Sequence, residues 1–446
     1  MRSARVASPR SIPGAAFAGL TARPRQEVLL CAAFLLCILE GAARKWLLPS
    51  GSPLFYLAYL SKDAAVLALV LTCARNRPTP AARRFESFFL VGAVLLAAGI
   101  GLSLFSGFSG TGAFLTTRSI LVLPGLALLA SARLPGLNLP RALCFVAVLT
   151  WIPALLGSLQ YTLPATHPLN AYAAEGSDAA IQSAGHVRAT GTFSFISGMS
   201  WMAVVAVWVG LMLGTDGAAD RRQRLLGASA IGAGLLCAFT SLSRSGLAGA
   251  LGLLAAALLL RRVQRRFWGL LVLLGGLVIA IGFTGSGPVN ELYSAIARRH
   301  GSSETFGERG VWVLGDLLNA TEHSLTGYGY GVTQVGAMLH STGAWGLPSH
   351  ETELARVIVE VGVLGFLGVL CMRVGLLLAV VEALRRARNP GRRNALTITL
   401  LALCFFLATN TIFDHVGSAF AWLTAGIALA LDGGPPPKVA DPPVVS

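Results

Sequence analysis

His350 stands in the segment PSHETELARVIVEVGVLG, where loop-like residues give way to an apolar run. A histidine that titrates near neutrality can accept a proton from a sugar hydroxyl, so it is a candidate general base. Ser349 reads as the cap of the following helix, with Glu351 and Glu353 in its first turn. Such a start holds His350 at a defined place. The alternative is a structural histidine, and His300, His323 and His340 compete for the catalytic role. Arginines form the second group. Arg118 in TTRSIL, Arg188 in HVRATG, Arg244 in SLSRSG and Arg309 in GERGVW flank apolar runs. Guanidinium forks match phosphate oxygens bidentately, and a converging set suits a lipid-linked pyrophosphate. The alternative for any one of them is snorkelling or contact with lipid headgroups. Glu353, Arg356 and Glu360 are spaced to share one helix stripe and read as a supporting ion-pair ladder.

Lys62 and Asp63 are adjacent within an apolar run. Neighbouring positions do not face each other on a helix, so each needs a partner elsewhere. GAARKWLLP, with Arg44 and Lys45, reads as a re-entrant stretch and a possible partner region. Some chemistry is missing. No D-x-D or E-x-D pair stands at a candidate outer span end, and no GxxxxGK[ST] or G-x-S-x-G motif occurs. The expectation is chemistry without a metal or other cofactor, driven by the substrate itself.

The elements that position these residues are membrane helices. Of 446 residues 54% are hydrophobic and 12% charged, against about a quarter charged in soluble domains. That much apolar surface must face lipid, and 51 glycines suit close helix packing in a bilayer. Apolar runs place about twelve helices near 27–43, 53–74, 87–106, 118–132, 142–160, 192–214, 225–243, 246–260, 267–284, 351–379, 395–413 and 416–431. The seven cysteines all lie in these runs and read as small buried apolar residues, not as a disulfide or zinc framework.

Most of the 35 lysines and arginines, which set the net charge of +15, fall in segments that alternate regularly between runs. Two, Lys62 and Arg373, fall within spans, and nine remain on the other side: Arg44, Lys45, Arg118, Arg188, Arg244, Arg298, Arg299, Arg309 and Arg356. The bias implies both termini inside and an even helix count. No basic segment is interleaved with aromatics, so nucleic acid is not an expected partner. The organisation is then a basic cytoplasmic tail (1–26), helices one to nine (27–284), a large periplasmic loop (285–350), helices ten to twelve (351–431) and a Pro-rich cytoplasmic tail (432–446). The N-terminal tail lacks the layout of a cleavable signal peptide. Within the loop, Val289 to Arg299 and Phe306 to His323 read as short helices. Phe306, Val313, Leu314, Leu317 and Leu318 form an apolar stripe, with Glu308 and Asp316 off it. TGYGYG, from Thr326, is a turn-rich break.

Four segments resemble the O-antigen ligase and O-antigen polymerase family of bacterial membrane glycan transferases. GTFSFISGM from Gly191 is similar to its G-T-F segment, and SLSRSGLAGALGLL from Ser241 to its S-R-[GS]-G span start. ERGVWVLGDLLNATEHSLTGYGYG from Glu308 resembles its R-x-x-x-W…P-L-x-G-x-G-x-G stretch, with Ser324 where proline is usual. SHETELARVIVEVGVLGFLG from Ser349 resembles its H-N-x-x-L…E-x-G-x-x-G segment, with Glu351 in place of asparagine. GAARKWLLP is similar to a subgroup of the family. The matches cover mainly residues 190–370.

The resemblance implies an all-α polytopic protein of about twelve helices in the bacterial inner membrane, with a large partly helical periplasmic loop. It implies transfer of a glycan from undecaprenyl pyrophosphate to a hydroxyl of a glycan or lipid acceptor, without metal or nucleotide. It implies that His350 is the essential loop histidine, Arg309 a loop arginine, and Arg118 and Arg244 pyrophosphate ligands. Ligases, polymerases and protein O-glycosyltransferases share these motifs. The competing class is a transporter or flippase for a lipid-linked or anionic solute. Its ionisable residues would sit near mid-membrane, whereas most here lie at the rim.

Overall fold

The computed structural model describes residues 25–49, 52–73, 77–105, 117–122, 124–125, 139–172, 182–183, 186–215, 219–259, 315–320, 326–327, 352–408 and 415–432. His350, Arg309, the expected span at 267–284 and the expected helix at 289–299 lie outside these residues, and Arg244 is described by its backbone alone. The described chain is all-α apart from one two-residue antiparallel ladder. In order the elements are α1 (Arg25–Ala42), which continues as a π-helical turn (Ala43–Leu47), α2 (Pro53–Cys73) and α3 (Pro80–Ser103). A second π-helical turn (Arg118–Val122) precedes α4 (Leu139–Leu149) and α5 (Trp151–Thr162), then β1 (Gln182–Ser183) and β2 (His186–Val187). There follow α6 (Ile196–Thr215), α7 (Arg221–Thr240), α8 (Arg244–Leu259), α9 (Glu353–Arg386), α10 (Pro390–Ala408) and α11 (His415–Ala430).

This is a membrane protein. Among the described residues seven helices are long and apolar enough to cross a bilayer: Gln26–Leu47, Pro53–Cys73, Pro80–Ser103, Leu139–Thr162, Ile196–Thr215, Glu353–Arg386 and Pro390–Ala408. Twenty residues at 1.5 Å rise cover roughly 30 Å, the hydrocarbon thickness. Ser245–Leu258 and Val416–Ala430 are shorter apolar helices. α7 has a spanning length but lower hydropathy, with Arg221, Arg222 and Arg224 in its first turns.

Local sequence explains most boundaries. Thr79 caps α3, its side chain accepting from Ala82 N, and Pro80 opens the helix. α3 therefore starts before the apolar run expected at 87. Asp220 and Gln223 close a capping box at α7. α6 is apolar all round and buried at every residue but Ser197, so it is the central helix of the bundle. GAARKWLLP is not re-entrant, because α1 runs on through it as the π-helical turn. Only Cys37, Cys73 and Cys237 are buried, whereas Cys404 is exposed.

At one end of the bundle an acid clamps four helix termini. Asp432 accepts from Ala81 N at 2.9 Å, Arg386 Nη2 at 2.8 Å and Arg392 Nη2 at 3.2 Å. Thr79 Oγ1 donates to Leu429 O at 2.9 Å, and Glu382 takes both Arg386 and Arg84. Asp432, the first residue of the expected tail, is therefore 7% exposed and held between the starts of α3 and α10 and the ends of α9 and α11. α3 and α9 approach closely through glycines. A Cβ on Gly368 would stand 2.6 Å from Gly92 O, a distance no side chain tolerates.

Candidate functional site

The opposite end of the bundle gathers the charged residues that the apolar runs had to carry. Tyr59 of α2 is its centre. Lys62 Nζ lies 4.4 Å, Arg118 Cζ 4.7 Å and Arg44 Cζ 4.8 Å from the Tyr59 ring centroid. Lys62, fully buried, donates to Glu40 of α1 at 2.9 Å and to Tyr59 O at 2.8 Å. Arg118 grips Asp63 bidentately, Nε to Oδ2 at 2.5 Å and Nη2 to Oδ1 at 2.8 Å, and donates from Nη1 to Tyr59 Oη at 2.9 Å. Lys62 and Asp63 thus do have separate partners, and these are Glu40 and Arg118. The Arg44–Lys45 region provides neither.

Arg44 and Lys45 serve the G-T-F segment instead. Gly191 adopts φ +54°, which favours glycine, and its turn is held from two sides. Gln160, buried in α5, accepts from Thr190 N at 3.0 Å and Gly191 N at 2.7 Å. Lys45 Nζ donates to Thr190 Oγ1 at 2.8 Å and Gly191 O at 2.7 Å, and Arg44 Nη1 to Ser194 Oγ at 3.2 Å. Trp46 Nε1 donates to Pro168 O at 3.2 Å.

SLSRSG joins the same end. Ala189 N donates to Thr240 O at 3.0 Å and Arg188 Nε to Ser241 O at 3.2 Å. Leu242 takes φ 49°, a strained value for a leucine. Ser243 Oγ accepts from Gly246 N at 3.3 Å, so the first serine before the arginine starts α8. Arg244 opens that helix.

The third part is the start of α9. Thr352, not Ser349, is the cap, its side chain accepting from Ala355 N. Thr352 is in turn gripped by Asp316 of the helix at 315–320: its N and Oγ1 both donate to Asp316 Oδ2, at 3.0 and 2.6 Å. Ala320 and Leu317 of that helix pack on Ala355, Ile358 and Val359, whereas Leu318 of the expected stripe is 61% exposed. Gly362 takes φ 68° and kinks α9. Gly327 of TGYGYG packs against Glu360 O and Gly362 N. The helix at 315–320 and TGYGYG therefore both pack on α9, the first before the kink and the second at it. Glu353 pairs with Arg373, whose Nη1 donates to Leu407 O at 2.8 Å. Arg356 is half-buried and Glu360 buried on the same helix. Ile120, beside Arg118, packs with Val357 and Val361, which joins the Tyr59 cluster to α9.

Five of the sequence-derived site residues, Arg118, Arg188, Glu353, Arg356 and Glu360, therefore lie on segments of this one end. Sequence reasoning missed Glu40, Tyr59 and Gln160. Glu40 had a signal, an isolated acid in the apolar run CILEGA. Chemically the end offers fixed cations and a glycine turn, a setting for anionic groups. Among the described residues no group of three His, Cys, Asp or Glu comes together as a metal ligand set. No protein-family model matches the chain, and no curated protein matches it.

Proposed function

We propose that this chain is a metal-independent glycan transferase of the O-antigen ligase or polymerase type, in the bacterial inner membrane. It transfers a glycan from undecaprenyl pyrophosphate to a hydroxyl of a glycan or lipid acceptor at the periplasmic face. The observation that carries the reading is the meeting of the resembling segments. Gly327 packs on the Gly362 kink, and Asp316 grips Thr352, the cap of α9, which His350 precedes by two residues in sequence. In this reading twelve helices cross the membrane, both termini are cytoplasmic, and the Tyr59 end is periplasmic. His350 takes the proton of the acceptor hydroxyl as that oxygen attacks the anomeric carbon. The bond to the pyrophosphate breaks, and its charge is held by Arg309, Arg244 and Arg188. Arg118 has three N–H groups committed to Asp63 and Tyr59, so its contribution is partly the ordering of that end.

Two experiments test this. Reporters fused after Arg224, Arg266 and Arg393 are expected to report cytoplasm, and one near Gly331 periplasm. A cytoplasmic signal at Gly331 removes both the topology and the mechanism. Alanine at Arg118, Arg244 or Arg309 is expected to lower transfer by purified protein about ten- to a hundredfold, at 1.5–3 kcal/mol per charge-assisted pair. Lysine restores only part, because the fork is lost. Full activity in all three alanine variants removes the pyrophosphate site.

The second reading is a transporter or flippase for a lipid-linked or anionic solute. The buried pairs Lys62–Glu40 and Arg373–Glu353 favour it, because ion pairs inside spans also mark transport paths. It is separated by the fate of the donor: a flippase moves lipid-linked glycan without consuming it.

A further inference from the structure

Three cations surround the Tyr59 ring, with Lys45 next in sequence to one of them, and the neighbouring carboxylates answer only two. Lys62 belongs to Glu40 and Arg118 to Asp63. Arg44 and Lys45 meet no carboxylate among the described residues. Their acceptors are the neutral Ser194 Oγ, Thr190 Oγ1 and Gly191 O. Arg44 is then a positive charge that no carboxylate answers, beside a ring that already carries Lys62 and Arg118. The C-terminal end of α1 attracts cations through its dipole, but that dipole amounts to roughly half a charge. It does not offset a full charge.

The geometry of Arg44 is that of a prepared ligand. Its guanidinium carbon lies 4.2 Å from the Phe55 centroid and 4.8 Å from that of Tyr59. Aromatic faces that hold a guanidinium restrict its motion and leave its N–H edges to bind. Among the described residues one of its N–H groups has a hydrogen-bond partner, through Nη1, and Nε is buried without one. In the turn that Arg44 and Lys45 hold, Thr192 is 2% exposed and its Oγ1 is also buried without a partner. Buried polar atoms are nearly always satisfied, so these two, on segments that Arg44 and Lys45 tie together, point to an incomplete site. Lys45 and Arg44 are half-buried and Leu47 is 79% exposed, so the end opens at the membrane boundary.

We propose that Arg44, Lys45 and Thr192 form an anion site at this membrane boundary, which takes a phosphate group from a lipid headgroup or from free phosphate or pyrophosphate. The site stands on its own charge balance and does not need the transferase reading.

The test uses the full chain in nanodiscs and follows unfolding by tryptophan fluorescence. One arm titrates inorganic pyrophosphate into phosphatidylcholine discs. The other replaces part of the phosphatidylcholine with phosphatidylglycerol. A rise in midpoint in the first arm identifies a free phosphate ligand, and a rise in the second a headgroup; either supports the site. Arg44→Gln is expected to weaken the response at least tenfold, roughly the loss of one charge-assisted pair. Arg44→Lys keeps part of it. Should Arg44→Gln fail to fold, Thr192→Val, which is nearly isosteric and removes only the hydroxyl, decides by a severalfold weaker response. No response in either arm overturns the proposal, and so does an unchanged response in Arg44→Gln or, where that variant does not fold, in Thr192→Val. Pyrophosphate binding that survives Arg44→Gln and falls with Arg244→Ala overturns this site while leaving the transferase intact.

Discussion

Glu40→Ala is expected to be the most destabilising single change in the first two helices. Lys62 has no exposed surface, and among the described residues its ammonium pairs with the carboxylate of Glu40 at 2.9 Å. Removing the acid leaves a buried, uncompensated cation between spans, which costs about 3–5 kcal/mol. The double variant Glu40→Ala with Lys62→Met is expected to recover most of that loss, since two apolar side chains replace a pair whose desolvation already offset much of its attraction. Denaturant titration of the purified protein measures both. Asp63→Ala is expected to cost less, because the Asp63 side chain is 18% exposed and water reaches its pair with Arg118. A single Glu40→Ala variant as stable as the wild type contradicts the pair.

This pair also shows where sequence reading stops. Lys62 stands out in an apolar run, and depth points to its partner. Glu40 lies a similar number of residues inward from the shared α1–α2 connection. The search then has to be for an opposite charge at matched depth, not for a neighbour in sequence. Apolar length places α2, α6 and α8 within a few residues, because in each the apolar run and the helix have nearly the same ends. It places α3 and α10 late, because both helices open with charged residues ahead of their apolar runs. Thr79-Pro80 and Pro390 start them ahead of their arginines. The kink at Gly362 is invisible to any apolar count, because a glycine inside a membrane helix is common and only its φ reveals the turn. Asp316 is legible as an acid off an apolar stripe. That it grips Thr352 and moves the helix start from Ser349 needs the fold, because 36 residues separate the two.

His350→Ala is expected to lower turnover by about 10²–10⁴-fold, the usual contribution of a positioned general base. The variant should still insert and still bind donor, because the arginines proposed to hold the pyrophosphate are untouched. Thr352 carries its own grip on the α9 start through Asp316, so the helix does not depend on His350. His340→Ala is expected to do much less. Single-turnover kinetics on purified variants, with donor binding measured separately, distinguishes a lost base from a lost fold. Full turnover in His350→Ala together with inactive His323→Ala or His340→Ala moves the role to another histidine. Full activity in all three ends histidine base catalysis for this protein.

Glycan transfer itself can be followed directly. The purified wild-type protein is incubated with an undecaprenyl-pyrophosphate-linked glycan and a hydroxyl acceptor, in EDTA and without nucleotide. The account predicts that the glycan appears on the acceptor and that undecaprenyl pyrophosphate is released in equal amount. Donor that stays intact in detergent with acceptor present, while the same protein in vesicles carries it across the bilayer, contradicts it.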